Sequence, residues 1–403
     1  MNQLHALATW LEPLRPALGI DPADWVLLDG FEHALAEALP ARPAASADRS
    51  ALLMGVRRRL AAAGFADVCL PADVGGQGRP LAVQALMQFV AGYYDTDLRD
   101  ATGPGHGRLI QTHGTAAARA AWQPRMGAGQ LIGIAATERH GGSRLPLITT
   151  TARPAPNGTW RLTGEKTWIS RLTEASAFVV FFTSDRGHGA VVVSADAPGL
   201  TRTLIRPAGL SGWSWGLLHL ADVRIGPEDL IGEIGTGLTV FNEHFTVFRP
   251  LVTATALGAA AGVHASVTGI LTARLTCGIL PDLRDTALVK LGETHAQITA
   301  ALLHTLAGIR LAETGSRHAD LHTRTGKAVG TAAASRAAHD LALLIGAAGF
   351  QDEHRLTKAR RDLEALLLAD GIGDELLRSA GRLLTNPRAG TVPAKHDREA
   401  AHV

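Results

Sequence analysis

The amino-acid sequence predicts an α+β chain: an N-terminal helical domain over 1–130, a middle β-barrel or sandwich domain over 131–232, a C-terminal four-helix bundle over 233–386 and a disordered tail over 387–403. It does so because apolar residues recur at helical spacing before residue 130, the period changes to two between 131 and about 232, and long Ala/Leu-rich helical stretches follow from Thr236. A hydrophobic content of 46% over 403 residues is ample for a large core, and that length exceeds what one core usually holds.

In the first domain, Leu4, Leu7, Leu11, Leu14 and Leu18 lie at helical spacing, as do Val26, Leu27, Phe31, Ala34, Leu35 and Leu39. A third amphipathic segment, Leu52 to Ala63, stops at Gly64 in the manner of a glycine-terminated helix. Its Arg57-Arg58-Arg59, the densest basic cluster, reads as a solvated helix face. A loop, LPADVGGQGRP, precedes a helix from Leu81 to Tyr93. Gly103-Pro104-Gly105-His106-Gly107 follows no strand and lacks the P-loop Lys-Ser/Thr, so it reads as an interhelical turn.

Seven short strands are expected next: 132–137, 149–154, 159–168, 177–183, 189–194, 200–205 and 217–223, separated by Pro, Gly, Asn and Asp. Four bundle segments are expected at 239–275, 283–316, 323–349 and 356–384. Their apolar runs are interrupted by His, Arg and Asp, which marks buried helices and not membrane spans. A net charge of +2 leaves no electrostatic footprint for nucleic acid. Two cysteines exclude a disulfide framework and a Cys-type zinc site and suit a reducing cytoplasm, and MNQLHALATWLEPLRP has no secretory pattern. Seventeen histidines form no H-E-x-x-H and no close cluster with carboxylates, so no metal site is expected.

The stretch from Leu131 to Ser184 carries the chemistry. T-E-R-H-G-G-S at 137–143 closes a short apolar run, and G-E-K-T-W-I-S at 164–170 ends an alternating strand. Strand ends bearing Thr, Ser and Trp suit a flat, hydrogen-bonding ring. The two halves, in this order and on either side of an Asn157-Gly158 turn, resemble the flavin-binding β-domain of the acyl-CoA dehydrogenase family, whose usual forms are T-E-P-x-x-G-S-D and G-x-K-x-W-I-T/S. The loop at 71–78 and the order helices, β, four-helix bundle extend the resemblance over nearly the whole chain.

The resemblance implies FAD and α,β-dehydrogenation of an acyl thioester, on coenzyme A or an acyl-carrier protein. Thr137 would bond the flavin pyrimidine edge, Trp168 would pack beside the ring, Ser170 would lie near N5, and Ser143 near the pyrophosphate and the pantetheine arm. Arg274, in R-L-T-C-G for the family's R-x-x-F-G, would reach a neighbouring subunit's pyrophosphate, with Cys277 in place of phenylalanine. Gly346 and Gly349 stand in the family's Q-x-x-G-G-x-G loop, whose glutamine is Leu343 here and one of whose glycines is Ala347. This arrangement implies at least a dimer, either a homodimer or a homotetramer.

For the base the family has glutamate in x-E-G-T. The matching segment is Ala369-Asp370-Gly371-Ile372, which makes Asp370 the catalytic candidate, with Arg249, Ala369 and Gly371 on the substrate side. The family's other base position is Phe248, which cannot serve. Ala369 would widen the pocket for a branched or functionalised acyl group. Arg139, His140 and Arg144 near the entrance are either solvated loop charge or a seat for an anionic phosphopantetheine. A helix-capping Asp370, a flavin monooxygenase on the same fold, and a degenerate non-catalytic paralogue stay open; the electron acceptor is not indicated.

Overall fold

The structure, a computed structural model, describes residues 5–40, 49–142, 144–351 and 355–385. The tail expected at 387–403 lies outside them. The chain divides into two compact units, one of residues 33–78 and 100–245, the other of 1–32, 79–99 and 246–403. The longer helices are α1 (Pro22–Ala38), α2 (Arg49–Ala62), α3 (Leu81–Tyr94), α4 (Ala116–Gly127), α5 (Gly237–Thr276), α6 (Asp285–Glu313), α7 (Ala319–Leu344), α8 (Arg355–Leu368) and α9 (Gly373–Thr385).

The first unit is built on one seven-stranded sheet: β1 (Leu131–Ala135), β2 (Thr151–Ala155), β3 (Thr159–Ser170), β4 (Ala175–Ser184), β5 (Gly187–Ser194), β6 (Leu200–Ile205) and β7 (Trp215–Ile225). The strand order is β1-β4-β2-β3-β7-β6, with β5 paired to β4. The run ASAFVVFFTS explains why β4 sits inside. Phe178, Val180 and Phe182 enter one core with Leu162, Leu218 and Leu220, whereas Ala177, Val179 and Phe181 enter a second with Trp122 and Ile132. Apolar side chains on both faces are what a strand covered on both faces requires.

The chain turns away just past α2 at Gly64, where φ is +87°, a conformation glycine adopts without a Cβ clash. The solvated-face reading of the arginine cluster fails for Arg57. It is 2% exposed, and it donates to the carbonyls of Asp100 (2.6 Å), Gly103 (3.0 Å) and Gly129 (3.0 Å). Those acceptors are backbone groups far along the chain, so no local sequence pattern marks them.

In the second unit α3 is buried from Leu81 through Tyr93 because it crosses α5 with the two backbones in contact. A Cβ on Gly92 would fall 2.1 Å from the Thr255 carbonyl oxygen, and one on Gly258 would fall 1.9 Å from that of Phe89. Only hydrogen in place of a side chain allows that approach. α5 is long and apolar enough to cross a membrane by length and composition, but 72% of its most apolar window is buried inside the protein, as in a core helix. The expected fourth bundle segment, 356–384, is two helices. Asp370 (φ +58°) and Gly371 (φ +112°) take left-handed conformations that end α8, and α9 restarts at Gly373.

Candidate functional site

In the sheet unit, Thr137 and Glu138 follow β1, and the Thr137 carbonyl accepts from the Thr167 N–H at 2.8 Å. Glu138 is buried and accepts from Thr149 N (2.8 Å) and Oγ1 (2.6 Å), Thr150 N (3.0 Å) and Oγ1 (2.7 Å), and Lys166 Nζ (2.8 Å). Burial alone would push this carboxyl up, but Lys166 and the two threonines outweigh it and hold Glu138 down to about 2. The ion pair therefore locks the start of the T-E loop to β3.

β3 is irregular next to this lock: its register with β7 shifts between Lys166 and Ile169. Within the shift Trp168 adopts φ +57° and its residue surface is 58% exposed, while Thr167 and Ile169 are buried. A left-handed tryptophan costs roughly 1–3 kcal/mol, and the irregularity leaves a large indole facing open space. On the T-E loop, a Cβ on Gly142 would sit 2.8 Å from Thr137 Oγ1, so glycine keeps the approach to that hydroxyl clear. Ser170, at the end of β3, is half-buried and its Oγ accepts from Arg171 Nη1 at 2.5 Å. An uncovered indole, a cleared hydroxyl and a second hydroxyl at one strand end fit the edge and face of a flavin ring. Ser143 lies outside the described residues.

Of the three charges expected near the entrance, Arg139 and His140 lie against carboxylates. Arg139 Nε donates to Glu165 at 2.6 Å, His219 Nδ1 lies 3.0 Å from the same carboxylate, and His140 Nδ1 is 3.8 Å from Glu138. For Arg139 this favours the loop-charge reading over an anion seat.

In the helical unit, Arg274 and the glycine loop come together: Arg274 Nη2 donates to the Ile345 carbonyl at 3.2 Å. Gly346 has φ +67° and open space where a side chain would project. Gly349 is packed, with a Cβ position 2.9 Å from the Ala342 oxygen. A cavity of ≈ 410 Å³ next to the loop is lined by Phe350, Thr357, Arg360, Arg361 and Glu364. Backbone groups at a glycine turn with guanidinium groups nearby suit the phosphates of a dinucleotide, even with Leu343 in place of glutamine.

Asp370 lies in the same unit, half-buried on the turn between α8 and α9 with Ala369 and Gly371 beside it. Two buried cations feel its charge. Burial pushes Arg249 down to about 10 and Lys327 down to about 8, and Asp370 opposes both shifts. Arg249 Nη1 is 3.6 Å from Asp320 Oδ1. Lys327 Nζ donates to the carbonyls of Leu366 (2.9 Å), Leu367 (3.5 Å) and Gly371 (2.5 Å), so it holds the end of α8 and the turn itself. Sequence reasoning missed Lys327. The available signal was its spacing with Thr323, Thr331 and Ala334, all on the buried face of α7. A group of carboxylates without histidine does form, which the expectation about histidine–carboxylate clusters did not address. Asp95, Asp97 and Asp362 do gather, but Lys358 Nζ sits among them, 2.7 Å from Asp95, 2.9 Å from Asp97 and bonded to Asp362.

Comparison with known proteins places the chain in a family. The model of the acyl-CoA dehydrogenase middle domain matches residues 133–223, and that of the C-terminal domain matches 235–383. The human mitochondrial short-chain specific acyl-CoA dehydrogenase is 27% identical over 288 residues, 70% of this chain and 69% of that enzyme. The very long-chain specific enzyme of Rattus norvegicus is 24% identical over 76% of this chain, which spans about half (49%) of its length. Among solved structures, a glutaryl-CoA dehydrogenase from Mycobacterium smegmatis in complex with FADH2 superposes with a TM-score of 0.80 at 20% identity, covering 91% of this chain and 95% of that one.

Proposed function

Since the chain belongs to the acyl-CoA dehydrogenase family of flavin oxidoreductases, we propose that with FAD it oxidises an acyl thioester between its α and β carbons, using Asp370 as the base. The supporting observation is the placement of Asp370: a carboxylate on a left-handed turn between two helices, beside the buried cations Arg249 and Lys327.

FAD, when bound, supplies the hydride acceptor that no side chain can provide. Thr137, Trp168 and Ser170 orient the ring, and Arg274 with Gly346 and Gly349 takes phosphate, which on this reading belongs to a second copy of the chain. Asp370 removes the α-proton; Lys327 and Arg249 keep the turn and its charge in place while it does so. Ala369 leaves space for a branched or functionalised acyl group. The carrier is coenzyme A or an acyl-carrier protein. The setting is cytoplasmic, in keeping with a chain that carries only two cysteines, Cys69 and Cys277.

Anaerobic mixing of the FAD-loaded protein with thioesters on both carriers tests this. Direct bleaching of the flavin is expected, and Asp370→Asn should abolish it with FAD retained. Full bleaching in that variant removes Asp370 from the chemistry, and oxygen uptake that needs a separate flavin reductase would assign a monooxygenase.

A further inference from the structure

Arg171 follows Ser170 directly, is buried, and has φ +57°. Three of its donors are engaged. Nε and Nη2 converge on Asp100 Oδ2 at 2.7 and 2.6 Å, and Nη1 donates to Ser170 Oγ at 2.5 Å. Asp100 is itself held, because its backbone carbonyl accepts from Arg57. Burial pushes Arg57 down to about 10, against the opposing charges of Asp100 and Asp67. A chain of buried groups thus runs from α2 through Arg57, Asp100 and Arg171 to one half-buried hydroxyl at the end of β3.

The consequence lies in the donor count. A serine hydroxyl has one proton and two lone pairs. Once Ser170 accepts from a guanidinium, its own O–H is the group left to donate outward. A hydrogen bond from a cation polarises that O–H and makes it a stronger donor. Asp100 takes two of the Arg171 donors and Ser170 a third, so its charge is already paired inside the protein.

We propose that Arg171 is a positioning residue that sets Ser170 as a polarised donor toward the edge of the bound flavin, making the ring easier to reduce. The inference rests on the FAD reading above and adds a residue to it. Electrons arriving on the ring make it more negative, and a donor backed by a buried cation stabilises the reduced form more than the oxidised one.

The test is the midpoint potential of bound FAD without substrate, measured against a reference dye, in the wild-type protein, Arg171→Lys, Ser170→Ala and the double variant. A lysine keeps the charge near Asp100, but its compact ammonium lacks the fork that spans Asp100 and Ser170 together. Arg171→Lys is expected to move the reduction equilibrium about tenfold toward the oxidised form, about 30 mV for a two-electron couple. In the Ser170→Ala background the same change should have no further effect. Equal shifts in both backgrounds, or no shift with FAD bound, would reduce Arg171 to a structural ion pair and overturn the proposal. If Arg171→Lys fails to fold, Ser170→Ala and Ser170→Thr decide: alanine must lower the potential and threonine must preserve it, and an unchanged potential in Ser170→Ala overturns the proposal. A wild-type protein that takes up no FAD overturns the functional reading first, and this inference with it.

Discussion

In the sheet unit two buried ion pairs are closed: Glu138 meets Lys166 at 2.8 Å and Asp100 meets Arg171 at 2.6 Å. In the helical unit Asp370 stands beside two buried cations whose short contacts go elsewhere, Arg249 toward Asp320 and Lys327 to three carbonyls. Asp370 has no hydrogen-bond partner of its own among the described residues. A closed pair is a scaffold, since neither member can change charge without stranding the other. A carboxylate near cations but outside hydrogen-bond contact keeps its oxygens available for a proton. Two finished pairs therefore brace the unit that would hold a rigid ring, and in the unit that would do proton chemistry the Asp370 carboxylate is left uncommitted.

Substitutions on either side can break or sharpen this contrast. The largest effect belongs to Asp370→Asn, for which a loss of substrate-dependent flavin reduction of about 10²–10⁴-fold is expected, read by stopped-flow bleaching, with FAD affinity unchanged. Lys166→Met comes next. It strands a buried carboxylate and should lower stability by about 3–5 kcal/mol, measured by denaturant titration. The Glu138 contribution has a definite sign. Its folded pKa, about 2, lies below the usual 4.5, so its stabilisation is complete above about 4.5 and is lost as pH falls through the folded value. Lys166→Met should therefore flatten the acid limb of the stability profile; an unaltered limb would mean the pair is not closed in solution.

Lys327→Met should cost about 1–3 kcal/mol by leaving three carbonyls without their donor. If Lys327 sets the Asp370 turn, flavin bleaching slows as well, while a purely structural lysine would lower the melting temperature alone. The smallest effect is expected for Trp168→Gly. Glycine relieves the left-handed strain, so the apoprotein should be stabilised by roughly 1 kcal/mol, whereas FAD should bind more weakly by equilibrium fluorescence. Unchanged FAD affinity would detach the indole from the cofactor.

What was legible in the sequence was what lies contiguous in it. Thr137, Trp168 and Ser170 sit in two short strings from which the family could be read, and the strand at 200–205 has the bounds its alternation implies. The rest depended on partners remote in sequence. Arg57 looked like one of three surface arginines because its acceptors are carbonyls beyond residue 99. Lys327 looked like any polar residue on an alanine-rich helix because its acceptors lie 39 to 44 positions later. The break before α9 could be read as a turn aspartate before glycine, but not as the end of one helix and the start of another, since the apolar spacing continues across it.

The crossing of α3 with α5 has a consequence for how the chain comes into being. At Gly92 and Gly258 each helix rests on the other's bare backbone, and α3 is apolar nearly all the way round. Yet the ribosome finishes α3 roughly 160 residues before it reaches Thr255; at ordinary elongation speeds that interval is on the order of 10–30 seconds. For that time a sticky cylinder waits without its seat, and whatever shelters it in the interval is as much a condition of the finished enzyme as any group in the site.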